Sequence, residues 1–147
     1  MRGVETVKRS EAGFTLIEVL VVILVVGVLT AIALPAFLSQ QSKGKDASAK
    51  SDARNMAGAV EACEKGKDDF NDCDTQAELG SEAEGFAWGT GPGEVSVTSA
   101  SANEFVIEAV SRGKTGASNH TFTLARASNG RATRTCTGSQ GCASGSW

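Results

Sequence analysis

The sequence predicts an α+β chain: one long N-terminal α-helix whose second half packs on a four-stranded antiparallel β-sheet. Three observations point there. Val19 to Leu38 is a run of twenty residues without a charge. Soon after it, Ala49, Ala53, Met56, Val60 and Cys63 recur at spacings of 4, 3, 4 and 3, which is one face of a helix. The last third alternates apolar and polar residues and contains Asn129-Gly130, a strong hairpin signal.

The first half of the helix is the most informative element. Phe14 to Leu38 is 25 residues, roughly 37 Å long at the helical rise. That length crosses a hydrocarbon core of about 30 Å, so a membrane-spanning first half is expected. Residues 1–13 ahead of it are polar and carry Arg2, Lys8 and Arg9. An ordinary secretory signal would be cut at an Ala-x-Ala site, here Ala31-Ile32-Ala33. Glu18 argues against that reading, because a carboxylate inside an apolar signal core is costly. Within the run, Pro35 has no N–H for the carbonyl of Ala31. Gly27 weakens the helix by about 1 kcal/mol relative to alanine. A bend is expected between them in a lone helix.

The segment Gly13-Phe14-Thr15-Leu16-Ile17-Glu18 resembles the processing site of type IV pilins and pseudopilins. The resemblance implies cleavage between Gly13 and Phe14 by a prepilin peptidase and N-methylation of Phe14. It also implies the pilin fold and no catalytic, cofactor or metal residue. Glu18, Gly27 and Pro35 fall where the family places its assembly residues. Glu18 would meet the Phe14 amine of a neighbouring copy and set register, and Gly27 to Pro35 would be the stretch most able to extend. The implied function is a structural subunit of a type IV pilus, with roles in adhesion, twitching motility or DNA uptake. The implied partners are other copies of the chain, the peptidase, the membrane assembly machinery and, before assembly, membrane lipid. The implied location is the cytoplasmic membrane and then a surface filament. A type II secretion pseudopilin and a membrane-tethered binding domain are the alternatives. Direct contact with DNA stays open.

The organisation that follows is a leader at 1–13, an apolar helix at 14–41 and an amphipathic continuation at 42–66. An acidic connecting loop at 67–94 leads to the sheet region at 95–147. Strands are expected at Val95–Thr98, Phe105–Val110, Thr121–Leu124 and Ala132–Cys136. Between Glu61 and Glu108 there are twelve acids against Lys65 and Lys67, whereas residues 109–147 hold five Arg or Lys and no acid. Such asymmetry could join acidic and basic faces of neighbouring copies. Asp68, Asp69, Asp72 and Asp74 lack the calcium-loop pattern of the EF-hand.

The whole chain has 147 residues and a formal charge of −3, which excludes a strongly basic nucleic-acid binder. Its one histidine, His120, has no cysteine or acid at metal-ligand spacing. Asn119-His120-Thr121 forms a glycosylation sequon. The soluble part is small and Gly/Ala/Ser-rich, so it needs crosslinks or partners. Cys63, Cys73, Cys136 and Cys142 allow three pairings. Local spacing favours Cys63–Cys73 and Cys136–Cys142, in an oxidising compartment.

Overall fold

The computed structural model describes residues 13–138 and 141–147. Leader residues 1–12, with Arg2, Lys8 and Arg9, lie outside the described residues, as do Ser139 and Gln140. The chain divides into two compact units, one ending at Phe37 and the other running from Leu38 to Trp147. Helix α1, Leu16–Lys67, contributes to both.

In the first unit α1 is apolar except for Glu18 and Thr30, and every described residue is exposed in the single chain. It runs without interruption through Gly27 and Pro35. By length and composition α1 is able to cross a membrane. Thr30, the one hydroxyl inside this stretch, donates to the Val26 carbonyl at 2.7 Å. Its polar group is therefore satisfied within the helix, as an apolar surrounding requires.

The second unit holds the core. Ala49, Ala53, Met56, Val60 and Cys63 are all buried along one stripe of α1. They join Phe70, Val95, Val97, Phe105, Ile107, Ala109, Phe122 and Leu124 in one hydrophobic cluster. The small residues at 49 and 53 leave room for the sheet's larger ones. Phe70 meets Phe105 edge-on at 5.1 Å, a favoured aromatic geometry.

The sheet is an antiparallel meander of β1 (Val95–Ser101), β2 (Glu104–Thr115), β3 (Ser118–Arg126) and β4 (Ala132–Thr137), in that spatial order. Ile107 pairs with Val97 on one side and Leu124 on the other, which lines up the core face. Register shifts follow Val97 in β1 and Val110 in β2. The Asn129-Gly130 turn closes β3–β4, with Gly130 at φ 79° and its N–H donating to the Ala127 carbonyl at 2.8 Å. That positive φ is what glycine supplies there.

The structure departs from the sequence-based expectation in the connecting stretch and in strand length, β1 and β3 also running beyond Val95–Thr98 and Thr121–Leu124. The stretch 67–94 is not all loop: it contains α2 (Gln76–Leu79) and a 3₁₀ turn (Gly80–Ala83). Thr75 and Glu78 cap α2 reciprocally, and Leu79 and Ala83 bury themselves in the core. β2 also continues five residues beyond Val110, to Thr115. That extension carries Ser111 and Thr115, two residues that matter below.

Candidate functional site

The start of α1 brings together the residues of the processing motif. Gly13, Phe14 and Thr15 are non-helical and exposed, and Phe14 is 85% exposed. Thr15 stands just before the first helical residue. Its N–H and its hydroxyl both donate to Glu18 Oε2, at 2.8 and 2.7 Å. The Glu18 N–H donates back to Thr15 Oγ1 at 3.3 Å. This is a capping box, in which side chains satisfy backbone donors that a helix start leaves open. The Thr15-x-x-Glu18 spacing was visible in the sequence, and it gives Glu18 a local partner that the family-based expectation did not include. The peptide bond between Gly13 and Phe14 therefore lies in exposed, non-helical chain, two residues ahead of the capped helix.

The assembly candidates Gly27 and Pro35 both sit in the fully exposed half of α1. A Cβ at Gly27 would meet nothing within 4 Å. Among the described residues, nothing calls for a glycine at that position.

The four cysteines form two disulfides. Cys63 at the end of α1 joins Cys73, with Cα atoms 6.0 Å apart. Cys136 in β4 joins Cys142, with Cα atoms 5.7 Å apart. Their settings differ. Cys63 and Cys73 are 9% and 0% exposed, inside the core. Cys136 and Cys142 are only half-buried.

A buried polar cluster went unrecognised in the sequence. His120 in β3 and Asp46 in α1 are each 1% exposed. His120 Nδ1 lies 2.9 Å from both Asp46 carboxylate oxygens. Ser111 Oγ donates to Asp46 Oδ1 at 2.7 Å, and the Gly113 N–H donates to Ser111 Oγ at 2.8 Å. On the far side of the ring, Nε2 is 2.7 Å from Thr115 Oγ1. The cluster ties α1 to β2 and β3 through one carboxylate. A buried ion is tolerated only when paired and hydrogen-bonded in this way. Asn119 of the sequon is committed to the same region, its amide donating to the Ser111 carbonyl at 2.8 Å.

Elsewhere, charge is largely solvated. Glu61 on α1 and Arg126 on β3 approach to 3.8 Å, so part of the acidic–basic asymmetry is met within the chain. Burial pushes the Asp52 carboxyl up, partly opposed by Arg112. The hydrogen bond from Thr75 holds Glu78 below the usual carboxylate range. Among the described residues, no group of three His, Cys, Asp or Glu is arranged to hold a metal ion.

Comparison with known proteins adds to this geometry. Residues 8–34 match the prokaryotic N-terminal methylation motif. The chain is 37% identical over 54 residues to the type II secretion system core protein G of Pseudomonas aeruginosa, covering 37% of this chain and 38% of that one. It is 37% identical over 60 residues to the type IV major pilin protein PilA of Myxococcus xanthus, covering 41% and 27%. It is 34% identical over 67 residues to the type IV major fimbrial protein FimA of Dichelobacter nodosus, covering 43% of each. The match thus spans less than half the length of each relative. No solved structure matches the chain at comparable significance.

Proposed function

We propose that this protein, whose N-terminal segment is similar to those of type IV pilins and a secretion core protein G, is a structural subunit of a type IV pilus filament. One observation carries the reading: the methylation motif, residues 8–34, runs into a helix segment that exposes every apolar side chain it has. Exposed apolar patches of this size mark interaction surfaces. Lipid covers the segment in the monomer, held in the cytoplasmic membrane, and neighbouring copies cover it in the surface filament. The prepilin peptidase, the assembly machinery of the membrane and other copies of the chain are the partners.

Cleavage after Gly13 frees the amine of Phe14, which is then methylated. In a filament, an axial shift between adjacent helices brings that amine to Glu18 of a neighbour. The two charges offset each other's desolvation, and a wrong register leaves both unpaired. Thr15 holds the Glu18 carboxylate at the helix start, ready for this exchange. Close packing of neighbouring helices supplies the need for Gly27, since small residues let helices approach in an apolar medium. Pro35 leaves the Ala31 carbonyl without its helical donor, and Gly27–Pro35 is the stretch that lengthens on assembly.

The test is intact mass spectrometry of filaments sheared from the cell surface. A mature chain beginning at methylated Phe14 is the expected species. A chain beginning at Leu34 would show signal-peptide cleavage and overturn the proposal. The similarity to the secretion core protein G supports a second reading, a pseudopilin of a secretion filament. Loss of protein export, with surface pili unaffected, on deletion of the chain would favour it.

A further inference from the structure

Thr115, the last residue of β2, is exposed, and the buried polar cluster lies behind it. Its Oγ1 is 2.7 Å from His120 Nε2, and the other ring nitrogen, Nδ1, is 2.9 Å from both oxygens of Asp46. The surrounding donors fix the direction of each hydrogen bond. The Gly113 N–H donates to Ser111 Oγ, and the Ser111 hydroxyl in turn donates to Asp46 Oδ1. The carboxylate therefore accepts twice, from Ser111 and from Nδ1–H. With its proton held on Nδ1, the neutral ring presents a lone pair at Nε2, and the Thr115 hydroxyl donates to it. Hydroxyl, imidazole and carboxylate thus stand in the order that activates a nucleophile: a base within hydrogen-bond reach, and a third group that orients the base. Asp46, Ser111 and His120 are buried, so only the hydroxyl end of this chain of bonds reaches the surface. Beside Thr115 the turn into β3 is open: Gly116 has φ 62°, and a Cβ there would meet nothing within 4 Å.

We propose that Thr115 is an acyl-acceptor site: its hydroxyl takes an acyl group from an activated donor, a thioester or aryl ester, with His120 as the base and Asp46 as the group that positions it. In the step, Thr115 Oγ1 forms a bond to the carbonyl carbon and passes its proton to His120 Nε2. The bond from that carbon to the leaving group breaks. Its electron pair departs with the leaving sulfur or oxygen, which takes up the proton from Nε2. The product is an O-acylated threonine, and the imidazole and carboxylate return to their starting state. During the transfer the imidazolium stands against the Asp46 carboxylate, so a charge formed away from water has its counter-charge in contact. Two other exposed threonines of the sheet lack this device. The Thr98 hydroxyl donates to the Val106 carbonyl at 3.2 Å, and that of Thr133 to the Ala125 carbonyl at 3.4 Å. An amide carbonyl accepts a hydrogen bond but is too weak a base to take the proton. The chemistry at Thr115 is independent of whether the chain assembles into a filament.

The test treats the full chain, in detergent micelles, with p-nitrophenyl acetate and quantifies acetylated residues by peptide mass spectrometry. Thr115 should acetylate at least about 100-fold faster than Thr98 and Thr133 of the same chain, the low end of what a positioned base contributes. Thr115→Ser should keep the fast site, and Thr115→Val should remove it. Asp46→Asn keeps the shape of the side chain without its charge. It should bring Thr115 down to the rate of Thr98 and Thr133 while the far-UV circular dichroism is preserved. Acetylation of Thr115 no faster than that of Thr98 and Thr133 in the unaltered chain would overturn the proposal, and that comparison needs no variant to fold. So would an Asp46→Asn chain, its helical signal intact, in which Thr115 keeps its advantage.

Discussion

Up to Phe37, α1 presents valine, leucine and isoleucine on all sides and buries none of them. From Asp46 to Cys63 the same helix buries one stripe and leaves the opposite face to Asp52, Arg54 and Asn55. Both halves are regular α-helix, but their side chains have different partners. The second half takes its packing from the sheet of its own chain. Among the described residues the first half has no packing partner in its own unit, although its backbone is helical, short of a donor only at the Ala31 carbonyl facing Pro35, and its start is capped by Thr15 and Glu18. A segment with helical backbone and unsatisfied apolar side chains suits lipid and a bundle of like helices equally well. That double fit is what a subunit needs if it must leave a membrane and enter a filament.

The largest expected effect comes from the first half. Glu18→Val should leave the soluble unit folded and cleavage after Gly13 intact, while filament yield falls to near zero in cells lacking a wild-type copy. Immunoblots of sheared and cell fractions would measure this. Normal filament yield would remove the register role of Glu18.

In the second half the effects should appear as stability. Asp46→Ala leaves His120 Nδ1 and the Ser111 hydroxyl without their buried carboxylate, and each group so stranded costs about 1–3 kcal/mol. Met56→Ala empties a fully buried site, at a cost of about 2–5 kcal/mol. Val25→Ala, in the exposed half, should change the thermal unfolding of the soluble unit hardly at all and should reduce filament formation instead. Denaturation of all three variants, followed by circular dichroism in detergent, would test whether the two halves differ in this way. Equal destabilisation by Val25→Ala and Met56→Ala would erase the distinction.

A smaller effect should come from the second capping box. The bond from Thr75 keeps the folded-state pKa of Glu78 below its ordinary value. Its contribution is therefore fully present above that ordinary value and is lost as pH falls through the depressed one. Glu78→Gln should lower stability slightly near neutrality and leave it unchanged in strong acid, so that the acid limb of the stability–pH curve is flatter. An acid limb identical in the variant and the parent chain would contradict this.

What the sequence made legible follows from the range of each signal. The apolar run, the stripe from Ala49 to Cys63 and the Asn129-Gly130 turn are local patterns, and local patterns can be read from neighbours. The α2 turn was obscured because its four residues are too few to show a period, although Thr75-x-x-Glu78 announced its cap. Thr15-x-x-Glu18 announced the start of α1 in the same way, and the strong processing motif drew attention from it. The Asp46–His120 pair was beyond such reasoning. Its members are 74 positions apart, and they meet only because β2 runs on to Thr115 and pairs with β3 across the register shift beyond Val110, where His120 lies.

The central claim is that the exposed half of α1 finds its packing in other copies of the chain. A photo-crosslinking amino acid placed at Val25, in cells producing the protein, tests it directly. Irradiation should give a ladder of crosslinked copies in the filament fraction, and the same probe at Met56 should give crosslinks only within one chain. If Val25 forms no crosslink to another copy under conditions where the protein accumulates at the surface, the account is wrong.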